Sequence, residues 1–318
     1  FDLPKRTDDE IRLIYCGTLR DEENILEIIE EFQKIHKERP EVILKIVYGK
    51  IHGDAKFQIK VGEYIKNGVD GITFKRNLIH KDACYEIATS DVGICWRKNG
   101  WDDNGEVSTK MKEYEMYGLE ICYGKIAILC PINNISHYQN LIHSIKRQKY
   151  IFLEAKILVN SILKKDLPLL NVPYYIKFYE YESNKSVGFI LNHAINNLID
   201  KKSNYICKFD CDDIYTSDYL IEQISKLNKE KCLIVGKATQ YWWIHGTDTI
   251  LQNNIGNENT YVQSLRGNSL FFKKCMLEKY NMKFSNVTNG EDTDFIKQCI
   301  NNKIKLFSTS CNNLFTIR

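Results

Sequence analysis

YICKFDCDD, residues 205–213, runs from apolar residues straight into three carboxylates. Residues 205–209 have the composition of a buried strand, and acids that follow a strand at once lie at the carboxyl edge of a sheet. Open α/β folds bind their ligands at that edge. Asp210 and Asp212, one residue apart on a turn, can serve a hard divalent cation and whatever that cation neutralises. A solvated acidic turn or a helix N-cap fits the same residues, since Asp is common in both.

Working outward, residues 125–131 (KIAILCP) read as an apolar strand, followed by a helical stretch over 137–145. Strands over 155–159 and 174–178 and a helix over 187–199 lead into the quoted segment. Beyond it come a helix over 217–227, a strand over 232–235 and a loop rich in Asn and Gly. Gly290-Glu291-Asp292-Thr293-Asp294-Phe295 opens a helix over 294–300, with its acids on the first turn, where the helix dipole favours ionised carboxylates. Helix capping by Asp292 is the plainer reading. A carboxylate placed there can also accept a proton from a hydroxyl.

The first third has the same rhythm. Residues 11–16 (IRLIYC) form a strand ending at Gly17, and Ile25, Ile28, Ile29, Phe32 and Ile35 recur at helical spacing. Strands over 42–47, 71–74 and 91–96 and a helix over 83–88 follow. The pattern restarts near Gly124, so the chain divides into two α/β, Rossmann-like domains, 1–123 and 124–318, each expected to build a parallel sheet.

The 318 residues carry 44 basic and 41 acidic side chains, a net charge of +3, scattered so that no nucleic-acid footprint appears. The slight basic excess suits, at most, peripheral contact with anionic lipid headgroups. The cysteines number eleven, an odd count, and several sit inside apolar runs (Cys16, Cys95, Cys130), which reads as buried free thiols in a reducing compartment rather than a disulfide framework. No run approaches the roughly 20 apolar residues that span a bilayer, and no signal peptide opens the sequence. A cytoplasmic protein, at most touching the inner face of a membrane, is expected.

Residues 125–318 resemble the family 2 glycosyltransferases, inverting enzymes of the GT-A fold. KIAILCPINN is similar to that family's first strand, with Pro131 and Asn134 at matching places, and the segment from Ser144 to Tyr150 is similar to its S-[LIV]-x-x-Q-x-Y stretch. KFDCDDIY matches its D-x-D motif, and RGNSLFFKK followed by GEDTDF is similar to its acceptor-side strand and E-D turn.

The resemblance implies a nucleoside diphosphate sugar as donor, with a UDP-sugar favoured, and Mn²⁺ or Mg²⁺ as cofactor. It makes Asp212 the direct metal ligand and sets Asp210 at the ribose or the metal. Asp292 becomes the general base, and Glu291 the group that orients the acceptor or the base. Asn160-Ser161 stands where the family usually has an Asp at the nucleotide base, and an Asn there can hydrogen-bond uracil or guanine. Arg318 falls where a basic residue often meets the diphosphate. The expected reaction is inverting transfer of a hexose or N-acetylhexosamine to a glycan, lipid-linked or protein acceptor, in a setting such as surface polysaccharide assembly. Tyr241, Trp242 and Trp243 fit either sugar stacking or core packing, and the lone His245 fits a structural role as well as a ligand contact.

CGTLRDEENILEIIEEF and STKMKEYEMYG resemble the nucleotide-binding domain of the family 4 glycosyltransferases, of GT-B fold. That likeness implies Arg20 and Lys110 at a diphosphate and Glu113 at a ribose, in a partial domain to which Phe1-Asp2-Leu3-Pro4 would be the linker. Lys110 and Glu113 can equally be an exposed helical pair at i, i+3. Two alternatives to a single GT-A activity follow: a bifunctional enzyme whose GT-B half is active in a longer chain, and a non-catalytic glycan- or nucleotide-binding module.

Overall fold

The computed structural model describes residues 9–98, 108–132, 134–160 and 172–317. Phe1-Asp2-Leu3-Pro4, Ser161 and Arg318 lie outside these described residues. The chain separates into two compact units, Phe1–Gly124 and Lys125–Arg318.

In the first unit, strands β1 (Ile11–Cys16), β2 (Leu19–Arg20), β3 (Val42–Tyr48), β4 (Ile51–His52), β5 (Ile72–Arg76), β6 (Val92–Ile94) and β7 (Glu120–Cys122) alternate with helices. The helices are α1 (Ile25–Glu38), α2 (Ala55–Asn67), α3 (His80–Ala88) and α4 (Thr109–Met116). Five strands form one sheet in the order β5-β3-β1-β6-β7, parallel throughout. The α1 stripe Ile25, Ile28, Ile29, Phe32 and Ile35 is buried, as an amphipathic helix laid on a sheet requires. Asp54 caps α2 by accepting from Phe57 N at 2.8 Å.

The second unit opens with β8 (Lys125–Ile132), α5 (Tyr138–Lys146), β9 (Leu153–Asn160), β10 (Ile176–Tyr181), α6 (Val187–Asn197) and β11 (Ser203–Lys208). It continues with β12 (Ile214–Tyr215), α7 (Tyr219–Lys229), β13 (Ile234–Gly236), β14 (Gln240–Trp243), β15 (Ile250–Asn253) and β16 (Thr260–Val262). It ends with β17 (Phe271–Lys273), α8 (Cys275–Lys279), α9 (Glu291–Asn301), β18 (Leu306–Ser308) and β19 (Leu314–Ile317).

An eight-stranded sheet has the order β10-β9-β8-β11-β17-β13-β18-β16. Its first four strands are parallel, and β17 runs antiparallel between β11 and β13. Ile126 to Cys130 in β8 are wholly buried, the mark of a central strand covered on both faces. From β8 the chain first builds outward through β9 and β10, then returns to place β11 on the other side. The carboxyl ends of β8 and β11 therefore frame a topological switch point, and the acids of residues 210–213 sit there.

Two parts differ from the sequence expectation. The stretch after β13, expected as a loop, contributes β14 and β15 to a second sheet of order β12-β19-β14-β15. Of these four-residue strands β14 pairs with β19, Trp242 opposite Thr316, and β15 pairs with β14, which no local pattern shows. The last helix starts at Glu291 rather than Asp294, because Gly290 takes the left-handed conformation at its N-cap (φ 90°) and turns the chain inward there. Every cysteine is a free thiol, most of them buried. Among the described residues, no helix is long and apolar enough to cross a membrane.

Candidate active site

The acidic turn is rigid because its apolar neighbours are. Phe209, buried at the end of β11, stacks on Tyr215 with ring centroids 3.7 Å apart and an interplanar angle of 4°. The Tyr215 hydroxyl accepts from Asp210 N at 2.8 Å and donates to Asn268 O at 2.7 Å. Asn140 Nδ2 donates to Asp213 O at 2.9 Å. These contacts bring one carboxylate oxygen each of Asp210, Asp212 and Asp213 within 4.8 Å of one another.

The three acids are not equivalent. Asp213 is 3% exposed, and its carboxylate accepts from Asn268 Nδ2 and, at 3.3 Å, from Ile317 N. Burial pushes its pKa up to about 7, against the lowering effect of the Asn268 hydrogen bond. Asn268 is oriented in turn by Gln240 Nε2, which donates to its Oδ1 at 2.6 Å. Asp212 is half-buried and has no hydrogen-bond or ion-pair partner among the described residues.

Lys208, the last residue of β11, joins this turn to α9. It is 5% exposed, and its Nζ lies 3.1 Å from Asp210 Oδ1, 2.6 Å from Asp292 Oδ2 and 3.5 Å from Glu291 Oε1. Burial opposes its charge, but the surrounding carboxylates, Asp210 and Asp292 foremost, prevail and hold its pKa well above the ordinary lysine value. One ammonium cannot fully neutralise three acids. Burial accordingly raises Asp292 despite Lys208, and burial together with the Asp292 charge raises Glu291. Asp292 Oδ1 is buried with no hydrogen-bond partner, an unsatisfied acceptor in a site of low dielectric. Gly267 faces the same carboxylate so closely that a Cβ there would collide with it.

A cleft of about 340 Å³ opens over these groups, within the size range of small-ligand sites. Pro131, Asn160, Lys208, Asp210, Asp212 and Glu291 line it, and Tyr181 and Lys185 are among its other lining residues. Pro131 and Asn160 arrive there as carboxyl-end residues of the adjacent strands β8 and β9. Asn134 is not among the lining residues. It is exposed, and its side chain accepts from Ser136 N and Oγ at 3.0 and 2.9 Å. Asp292 is not among the lining residues either; it lies behind Lys208, which it contacts, and beside Glu291, both of which line the cleft. Lys208, Asp213 and Asn268 belong to the site although sequence pattern alone does not mark them as site residues. Lys208 stands inside the quoted motif, and Asn268 inside RGNS, so the signal was adjacent in both cases. A second cavity, about 450 Å³, is lined by Tyr261, Ile300 and Lys303 among others at the β16 edge, and none of the acids reaches it.

Tyr241 stacks on Phe315 within the small sheet (centroids 5.7 Å apart), Trp243 is exposed with its Nε1 donating to Thr247 O, and His245 is exposed.

In the first unit, Arg20 is exposed on β2 and Glu113 is half-buried on α4. Lys110 is 8% exposed, which corrects its reading as one of an exposed helical pair. Its ammonium is ion-paired with Glu23 and lies 3.9 Å from the centre of the Tyr15 ring. The buried face of α4 turns Lys110 inward beside Gly17, and the charge sought for a diphosphate is already met by Glu23.

No protein-family model matches the chain, and no curated protein matches it. Solved structures overlay on part of it. S. aureus TarS 1-349 overlays with a TM-score of 0.46 and 13% identity, covering 61% of this chain and 60% of TarS 1-349. The same protein in complex with UDP-GlcNAc gives 0.47 and 14%, covering 61% and 58%. Mannosyltransferase PcManGT from Pyrobaculum calidifontis, in complex with GDP-Man and Mn²⁺, gives 0.43 and 12%, covering 61% and 56%. The chain thus spans no more than about three fifths of these proteins' lengths.

Proposed function

We propose that the unit Lys125–Arg318 is an inverting, metal-dependent glycosyltransferase of GT-A type. It would move a sugar from a nucleoside diphosphate donor, UDP-linked by preference, to a hydroxyl of a glycan, lipid-linked or protein acceptor. The observation that carries the reading is that two acidic turns, distant in sequence, converge on one buried lysine, Lys208, beside one cleft. The order of the family 2-like motifs supports the same reading.

The residues present fit a divalent cation. Asp212 offers hard oxygens toward the cleft with no protein partner among the described residues, as Mn²⁺ or Mg²⁺ prefers. Asp210 shares the site, while Asp213, both of whose oxygens accept protein hydrogen bonds, orients the turn. When bound, the cation supplies positive charge for the departing nucleoside diphosphate.

Asp292 accepts the proton of the attacking hydroxyl. Its raised pKa makes protonation favourable, as a general base requires. Glu291 orients the acceptor, whose attack in line from the face opposite the diphosphate inverts the anomeric centre. Pro131 and Asn160 line the donor side, with Asn160 positioned by β9 to meet the base. Asn134 has no role in this arrangement.

The first unit is assigned as the partial GT-B-type domain, 1–123, and the second as the GT-A domain, 124–318. Lys110, already paired with Glu23, gives the first unit no free cation for a diphosphate at that position. We place the protein in the cytoplasm, at the inner membrane face when its acceptor is lipid-linked.

Thermal shift with nucleoside diphosphates, with and without Mn²⁺, tests the donor assignment, since a ligand of the folded state raises the melting point. UDP with Mn²⁺ is expected to raise Tm by several degrees, and a flat response to every nucleotide counts against the proposal.

A further inference from the structure

Lys208 is a buried ionisable group at the site whose position neither the metal nor the proton transfer requires. We infer that Lys208 couples the cation site to the proton-accepting turn. Its ammonium is a resident counter-cation shared by Asp210 and Asp292, and a divalent cation arriving at Asp210 displaces it toward Asp292 and Glu291. The inference rests on the assignment of Asp210 and Asp212 as the cation's carboxylates.

The strand fixes where the lysine can go. Side chains alternate along β11, so Lys208 shares a face with Ile206. Ile206 packs in the same core cluster as Phe295 of α9, which sets the lysine beneath the first turn of that helix. Its Nζ reaches Asp292 at 2.6 Å, Asp210 at 3.1 Å and Glu291 at 3.5 Å, and at 5% exposure water offers the ammonium little alternative.

A divalent cation on Asp210 meets that ammonium within a few ångströms, and like charges so close repel strongly at protein-like dielectric. The lysine therefore weakens cation binding, and by reciprocity the cation shifts the lysine's contacts onto α9. In the cation-free site Lys208 keeps the converging acids from repelling one another. In the loaded site its whole charge holds the Asp292 carboxylate in place. Lys208 is in this sense a positioning residue.

The test measures Mn²⁺ binding without donor, from the free Mn²⁺ signal in electron paramagnetic resonance, on wild type, K208M and D212N. Steady-state transfer is then measured on the first two. K208M is expected to bind Mn²⁺ about tenfold more tightly yet show kcat lowered about tenfold or more, with donor KM changed far less. Mn²⁺ affinity equal to or weaker than wild type in a folded K208M, with D212N binding abolished, overturns the inference and leaves the functional reading standing. A wild type that binds no Mn²⁺, or a D212N that binds as well as wild type, overturns both. Should K208M not fold, D292N serves instead. Losing the Asp292 charge leaves the ammonium to Asp210 and Glu291, so Mn²⁺ affinity must fall severalfold, and unchanged affinity overturns the inference.

Discussion

Lys208 Nζ lies 2.6 Å from Asp292 Oδ2, tying the carboxyl end of β11 to the first turn of α9 across 84 residues of sequence. That bond gives the two acidic segments a common geometry, and under the proposed reaction Asp292 is the group whose removal separates binding from chemistry. Asp292→Asn keeps the volume and one hydrogen-bond acceptor but cannot take a proton at neutral pH. Transfer is expected to fall by about 10²–10⁴ in kcat, while UDP with Mn²⁺ still raises Tm. Steady-state kinetics beside thermal shift reads both, and a kcat within a factor of a few of wild type removes Asp292 from the chemistry.

Gly267 is irreplaceable for steric reasons. Gly267→Ala drives a methyl into the Asp292 carboxylate, and overpacking of this kind costs about 1–3 kcal/mol. Since the group that must yield is the proposed proton acceptor, activity should fall more than stability. Urea denaturation and initial rates on the same preparation compare the two losses.

Tyr215 holds the acidic turn by its hydroxyl as well as its ring. Tyr215→Phe keeps the stack on Phe209 and leaves Asp210 N and Asn268 O without their partner. Two buried polar groups stranded at once should destabilise the unit by about 1–3 kcal/mol. Equilibrium unfolding in urea measures it, and a loss under about 0.5 kcal/mol would show that other donors or water replace the hydroxyl.

Much of this arrangement was legible in the sequence, and the part that was not has a physical reason. Residues 126–130 of β8 and 205–207 of β11 are contiguous buried apolar runs, so composition alone shows them, and the acids after β11 mark the sheet edge. The strands β14 and β15 are short and mixed in composition, and they are held because β19 pairs with β14 from more than 70 residues away and β14 with β15. Lys208 was invisible for a related reason. A lysine beside acids normally reads as a solvated charge, and only the packing of α9 on β11 turns it into a buried bridge. Lys110 errs the same way, since its helical spacing to Glu113 pointed outward while its actual partner, Glu23, lies 87 residues earlier.

The first unit carries a pH-sensitive ion cluster. Glu86, 8% exposed, receives Lys75 at 2.5 Å and Lys45 at 3.2 Å. Burial raises its pKa, but the two lysines outweigh burial and leave it below the ordinary glutamate value. A depressed folded-state pKa gives stability that is present above the unfolded pKa of about 4.3 and is lost as pH falls through the folded value. Glu86→Gln should therefore destabilise by about 1–3 kcal/mol at pH 7 and differ little from wild type near pH 3. Unfolding curves at both pH values decide it, and an equal loss at both would assign the effect to packing rather than charge.

The central claim is that Asp212 holds a cation needed for departure of a nucleoside diphosphate. Release of labelled sugar from a UDP-sugar, followed with Mn²⁺ and with a chelator in wild type and in Asp212→Ala, addresses it directly. The account expects turnover in wild type with Mn²⁺, loss of that turnover with the chelator, and a fall of about 10²-fold or more in the variant whatever the Mn²⁺ concentration. An Asp212→Ala protein as fast as wild type, or a wild type indifferent to chelation, would contradict it.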